Sequence, residues 1–128
     1  MFEVRKIDPV NRWVFGWASV SIDKQGKPLV DSQDDHIPID ELERAVYGYN
    51  LEFRDMNDMH AGPAVGRLIE SIVITKDKLS AMGLPEGLLP LGWWAGWFIE
   101  DSAVFARVKA GDRAMLSIEG TGIREEVR

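Results

Sequence analysis

Apolar and polar positions divide this chain into strands and helices of unequal clarity. From Trp13 to Ile22 the residues Trp13, Phe15 and Trp17 alternate with Val14, Gly16 and Ala18. Both faces are therefore apolar, which predicts a strand covered on both sides. Lys24-Gln25-Gly26-Lys27-Pro28 reads as a turn, and Leu29 with Val30 as a short returning strand. After the acidic loop Asp31 to Asp35, Asp40 is the expected helix cap, with Glu43 three residues on to complete a capping box. Leu42, Ala45, Val46, Tyr49 and Phe53 follow helical spacing and mark its buried stripe, which Gly48 weakens modestly.

The polar stretch Arg54 to Asp58 leads through His60 to a Gly62-Pro63 break. Val65 to Thr75, rich in isoleucine and valine, is the strongest strand signal. A short helix follows over Lys76 to Met82 and stops at Gly83, and the Gly83 to Gly92 segment is a loop. Trp93 to Glu100 is a strand on which Trp93 and Trp97 share one face and Trp94 takes the other. Asp101 or Ser102 caps a third helix with Val104, Phe105 and Val108 as its apolar positions, and Gly111 ends it. Met115 to Ile123 reads as the last strand. Long strands with irregular connections favour a closed or strongly bent α+β sheet over a doubly wound parallel one. No glycine-rich phosphate loop follows a strand.

The 128 residues suffice for one domain spanning 1–128. With 45% hydrophobic and 28% charged residues, the composition is that of a globular protein. A net charge of −6 and scattered lysines and arginines argue against a nucleic-acid partner. No apolar run approaches the length of a bilayer span and no basic-then-apolar signal opens the chain, so the expectation is a cytoplasmic protein without a membrane partner. The absence of cysteine removes disulfides, thiolate metal sites and cysteine nucleophiles together.

With two histidines in the chain, few base and nucleophile pairs can be built. His60 is followed by the small Ala61-Gly62, so its ring is uncrowded, and imidazole titrates near neutrality. Ser117, in Met115-Leu116-Ser117-Ile118-Glu119-Gly120, needs such a base to become a nucleophile. Its surroundings do not match the Gly-x-Ser-x-Gly elbow. Gly120 and Gly122 would let backbone amides approach an oxyanion, or else mark a strand bulge. Arg67 is a candidate anion or carbonyl partner, with a plain surface arginine as the alternative. A rival metal site would use Asp34, Asp35, His36 and His60, near Asp31 and Asp58. Its spacing matches neither a calcium loop nor a zincin helix, and a solvated turn explains the same acids. The tryptophans are core residues first, although one face could line a groove for an extended peptide.

These segments resemble the XkdF-like phage serine proteases. The resemblance rests on Phe15-Gly16-Trp17-Ala18-Ser19-Val20, Val30 to Asp35, Asp40-Glu41-Leu42-Glu43-Arg44-Ala45 and Met59-His60. It continues through Val65 to Ser71, Gly92-Trp93-Trp94-Ala95-Gly96, Val108-Lys109-Ala110-Gly111 and Leu116 to Gly120. Each motif is short, but the ordered set covers nearly the whole chain. The family is similar to the prohead proteases of tailed phages and, through them, to herpesvirus assemblin. The resemblance implies a bent, mostly antiparallel β-barrel with about three flanking helices. It implies His60 as general base, Ser117 as nucleophile, no cofactor, and a phage scaffold or capsid protein as substrate. The setting would be a bacterial host, inside the prohead or from an integrated prophage.

Two departures stand out. Glu119 occupies a position where relatives show glycine, and strand alternation puts it on the same face as Ser117. A carboxylate there would oppose an oxyanion unless it points away. The third catalytic group, an acid on a later strand in relatives, has only Glu125 and Glu126 as downstream candidates. Upstream, Asp35 and Glu70 are the others. The alternative function is a non-catalytic capsid-assembly module that binds scaffold through the same fold, and pairing of exposed sheet edges into a homodimer is a further option.

Overall fold

Four strands and three helices make up the computed structural model, which describes residues 2–30, 35–52 and 66–111. The strands are β1 (Glu3–Asp8), β2 (Trp13–Ile22), β3 (Arg67–Ile74) and β4 (Leu91–Phe98); the helices are α1 (Ile39–Glu52), α2 (Lys76–Ala81) and α3 (Ser102–Lys109). All strand pairs are antiparallel, and the sheet order is β1-β2-β4-β3. Among the described residues the sheet is open, with β1 and β3 at its edges. The fold is thus α+β with an antiparallel sheet. The expected last strand, Met115–Ile123, lies outside the described residues.

β1 is absent from the sequence reading because only Val4 and Ile7 are apolar in its six residues. Three positions apart, they would face opposite ways on a regular strand. A register shift between Val4 and Lys6 inserts one residue, and both side chains pack against the main core. The turn into β2 is held by Asp8, whose carboxylate accepts from the backbone N–H groups of Val10 and Asn11 and from the Asn11 amide. Those bonds, the Asn11 backbone N–H foremost, hold the Asp8 carboxyl below its ordinary pKa.

β2 is covered on both sides, as its pattern predicts. Val14 and Ala18 enter the main core, while Trp17 joins a second cluster with Ile74, Leu79 and Leu91. β4 divides its tryptophans in the expected way. Trp93 and Trp97 are fully buried on the α1 side, and half-buried Trp94 meets Trp17 edge-on at 5.4 Å on the other. Two glycines let neighbouring strands approach. A Cβ on Gly16 would lie 2.0 Å from the Glu3 carbonyl oxygen, and one on Gly92 would lie 2.4 Å from that of Ser19. β4 begins two residues earlier than its apolar run suggests and ends before Ile99, whose N–H donates to the Arg12 carbonyl instead.

α1 buries Leu42, Ala45, Val46 and Tyr49, the predicted stripe up to Phe53, which lies outside the described residues. The expected cap is corrected. The helix starts at Ile39, and the Leu42 N–H donates to the Pro38 carbonyl, so Asp40 stands inside the first turn. The capping box does not form because Asp40 is not at the cap position, and Glu43 pairs with Lys78 instead. Thr75 caps α2 by accepting from the Lys78 N–H. At its other end the N–H groups of Gly83 and Leu84 donate to the Ser80 and Leu79 carbonyls, a Schellman closure with Gly83 at φ 78°. Asp101 is the α3 cap, accepting from Ala103 and Val104. The Leu29–Val30 strand is reduced to one bridge between Ile22 and Pro28. Among the described residues no helix is long and apolar enough to cross a membrane.

Candidate functional site

His60 and Ser117 both lie outside the described residues, as do Asp31, Asp34, Asp58, Glu119, Gly120, Gly122, Glu125 and Glu126. The structure describes the frame to which these segments attach, together with Asp35, His36, Arg67 and Glu70.

That frame has a distinct end. Trp13, Phe98 and Arg67 stand opposite one another across β2, β4 and β3. Antiparallel partners point to the same face, so the three side chains share one side of the sheet. Arg67 Nε lies 2.7 Å from Glu100 Oε1, joining the start of β3 to the residues just past β4. Arg12 anchors the same exit. Its Nε donates to the Ile99 carbonyl at 3.0 Å, its own carbonyl accepts from Ile99 N–H, and its guanidinium lies 5.5 Å from the Phe98 ring centre. These contacts hold Arg12 at φ 57°, a left-handed conformation that is rare for a non-glycine residue. Sequence reasoning missed this anchor; the Asp8-Pro9 turn just before it is the one local sign of a tight reversal.

The remaining candidates are dispersed. Glu70 sits on the second face of the sheet, where its Oε1 accepts from Trp94 Nε1 at 3.0 Å. Asp35 is exposed, and neighbouring His36 places Nδ1 2.9 Å from the Leu29 carbonyl oxygen. Among the described residues no three His, Cys, Asp or Glu side chains form a metal-binding group; Asp34 and His60 of the rival site fall outside them.

A polar seam between α1 and β3 was not anticipated. Trp93 Nε1 donates to Ser71 Oγ at 2.8 Å, and the Asn50 amide donates to the same oxygen at 3.0 Å. Ser71 in turn donates to Asn50 Oδ1 at 3.4 Å, so its hydroxyl is fully engaged and is a tie between helix and sheet. Earlier along α1, Lys78 Nζ reaches Glu43 Oε2 at 2.7 Å, the Tyr47 hydroxyl and the Val73 carbonyl at 2.9 Å. Tyr47 donates to Glu43 Oε2 at 3.0 Å, closing the triangle. The Lys78 hydrogen bond lowers the Glu43 pKa against partial desolvation. Desolvation alone would lower the Lys78 pKa, but the bonds to Glu43 and Tyr47 outweigh it and raise it.

The second face carries a shallow groove of about 780 Å³. Trp17, Trp94, Ile72, Ile74, Leu89 and Pro90 line it, with Glu3, Arg5, Asp23 and Lys24 among its charged residues. Charges of both signs leave it without a marked polarity. A notch of about 180 Å³ lined by Asn50, Leu68, Ile69, Glu70 and Ser71 opens beside the polar seam, where β3 shifts register between Leu68 and Glu70.

No family model, curated protein or solved structure matches the chain.

Proposed function

We propose that this protein is a serine endopeptidase of the phage capsid-maturation type, with Ser117 as nucleophile and His60 as general base. The observation that carries the reading is topological. The chain enters β3 at Arg67 and leaves β4 at Phe98, which are register partners at one end of the sheet. His60 precedes Arg67 by seven residues, and Ser117 follows Lys109, the end of α3, by eight. Seven residues reach up to about 25 Å when extended, and the eight-residue α3 is about 12 Å long. These lengths are compatible with the two segments meeting at that end of the frame, which is what the reading requires.

In this reading Ser117 attacks a peptide carbonyl as His60 takes its proton, giving a tetrahedral intermediate. His60 then protonates the leaving amine, and water releases the acyl group. No cofactor enters the reaction. Backbone amides near Gly120 hold the oxyanion. Arg67 holds Glu100 through Nε, so assistance from it would use its remaining guanidinium N–H groups or follow release of that pair. Of the acids that could orient His60, Glu70 accepts from Trp94 Nε1 and would have to give up or share that bond; Asp35 and Glu125 are the other candidates. The reading carries with it a bent, assemblin-like barrel to which Met115–Ile123 contributes a strand. The substrate is a scaffold or capsid protein, processed within a prohead in a bacterial host or from a prophage. A homodimer is not required.

Co-production with a scaffold substrate tests this. Processing should stop in Ser117→Ala and fall steeply in His60→Ala, with circular dichroism unchanged; unchanged cleavage in folded Ser117→Ala overturns the reading.

The half-open tryptophan groove favours a second reading, a non-catalytic assembly module that holds an extended scaffold segment. That module would bind scaffold equally well after His60 and Ser117 are both replaced by alanine, and would show no proteolysis dependent on Ser117.

A further inference from the structure

We draw no further inference here: the strongest candidate, the apolar groove on the second sheet face between Trp17, Trp94, Ile72 and Leu89, already serves the second reading, and nothing in the structure shows what covers it.

Discussion

Arg67 and Glu100 form an ion pair across the end of the sheet, Nε to Oε1 at 2.7 Å, with both side chains more than half exposed. Exposed pairs of this kind contribute between nothing and about 1 kcal/mol. Glu100→Ala should therefore shift the urea midpoint only slightly. If Arg67 serves the oxyanion, releasing it should raise peptide cleavage, whereas Arg67→Ala should lower kcat. Unaltered kcat in both variants would remove Arg67 from the site.

The Lys78 and Glu43 pair should be visible in the pH dependence of stability. Glu43 has a lowered pKa in the folded protein, so its contribution is present above the ordinary carboxylate pKa. That contribution is lost as pH falls through the folded value. Lys78 has a raised pKa, so its contribution is present below the ordinary lysine value and lost only as pH rises through the folded one. Urea unfolding from pH 3 to 7 should show an acid limb that Glu43→Gln flattens, with a loss of about 1 kcal/mol at neutrality. An identical acid limb in the variant would contradict the assignment.

Ser71 supports a buried indole. Ser71→Ala removes the acceptor of Trp93 Nε1, and Trp93 is fully buried. An unsatisfied buried donor costs about 1–3 kcal/mol. Chemical denaturation should report that loss, and a cycle with Trp93→Phe should show coupling between the two positions. Simple additivity would mean that the bond contributes nothing.

Gly16 should accept no side chain. Its Cβ would stand 2.0 Å from the Glu3 carbonyl oxygen, so Gly16→Ala must push β1 away from β2. Amide hydrogen exchange should speed up across Glu3–Asp8 and leave β3 and β4 protected. Unchanged exchange in β1 would show that the added methyl is accommodated without parting the strands, against this account.

The sequence is most legible where a residue's chemistry and its surroundings agree. Trp93, Trp94 and Trp97 reveal their two faces by alternation alone, because both sides of β4 are packed. Asp101 and Gly111 mark the ends of α3 because capping is local. β1 escapes detection because its bulge breaks the alternation that would reveal Val4 and Ile7 as partners in one core. The Asp40 cap is misread because the first turn closes on the Pro38 carbonyl, and Glu43 pairs with Lys78, 35 positions further along, a tertiary contact that no local pattern contains. Strand order is equally non-local: β4 inserts between β2 and β3, and only that pairing brings Arg67 and Phe98 together at one end of the sheet. For the proposed site, the sequence offers the residue types His60 and Ser117, which lie outside the described residues, while Arg12 and Glu100, which tie the end of the described sheet, carry no motif.

The most direct test of the proposed chemistry is covalent labelling of the folded full chain with a fluorophosphonate, followed by peptide mapping. A nucleophilic serine activated by a histidine should take one phosphonyl group on Ser117. Labelling should disappear in Ser117→Ala and slow by orders of magnitude in His60→Ala. It should also fall on acidification through the titration range of the imidazole. A folded chain that leaves Ser117 unmodified, or that labels it at the same rate without His60, contradicts the proposal.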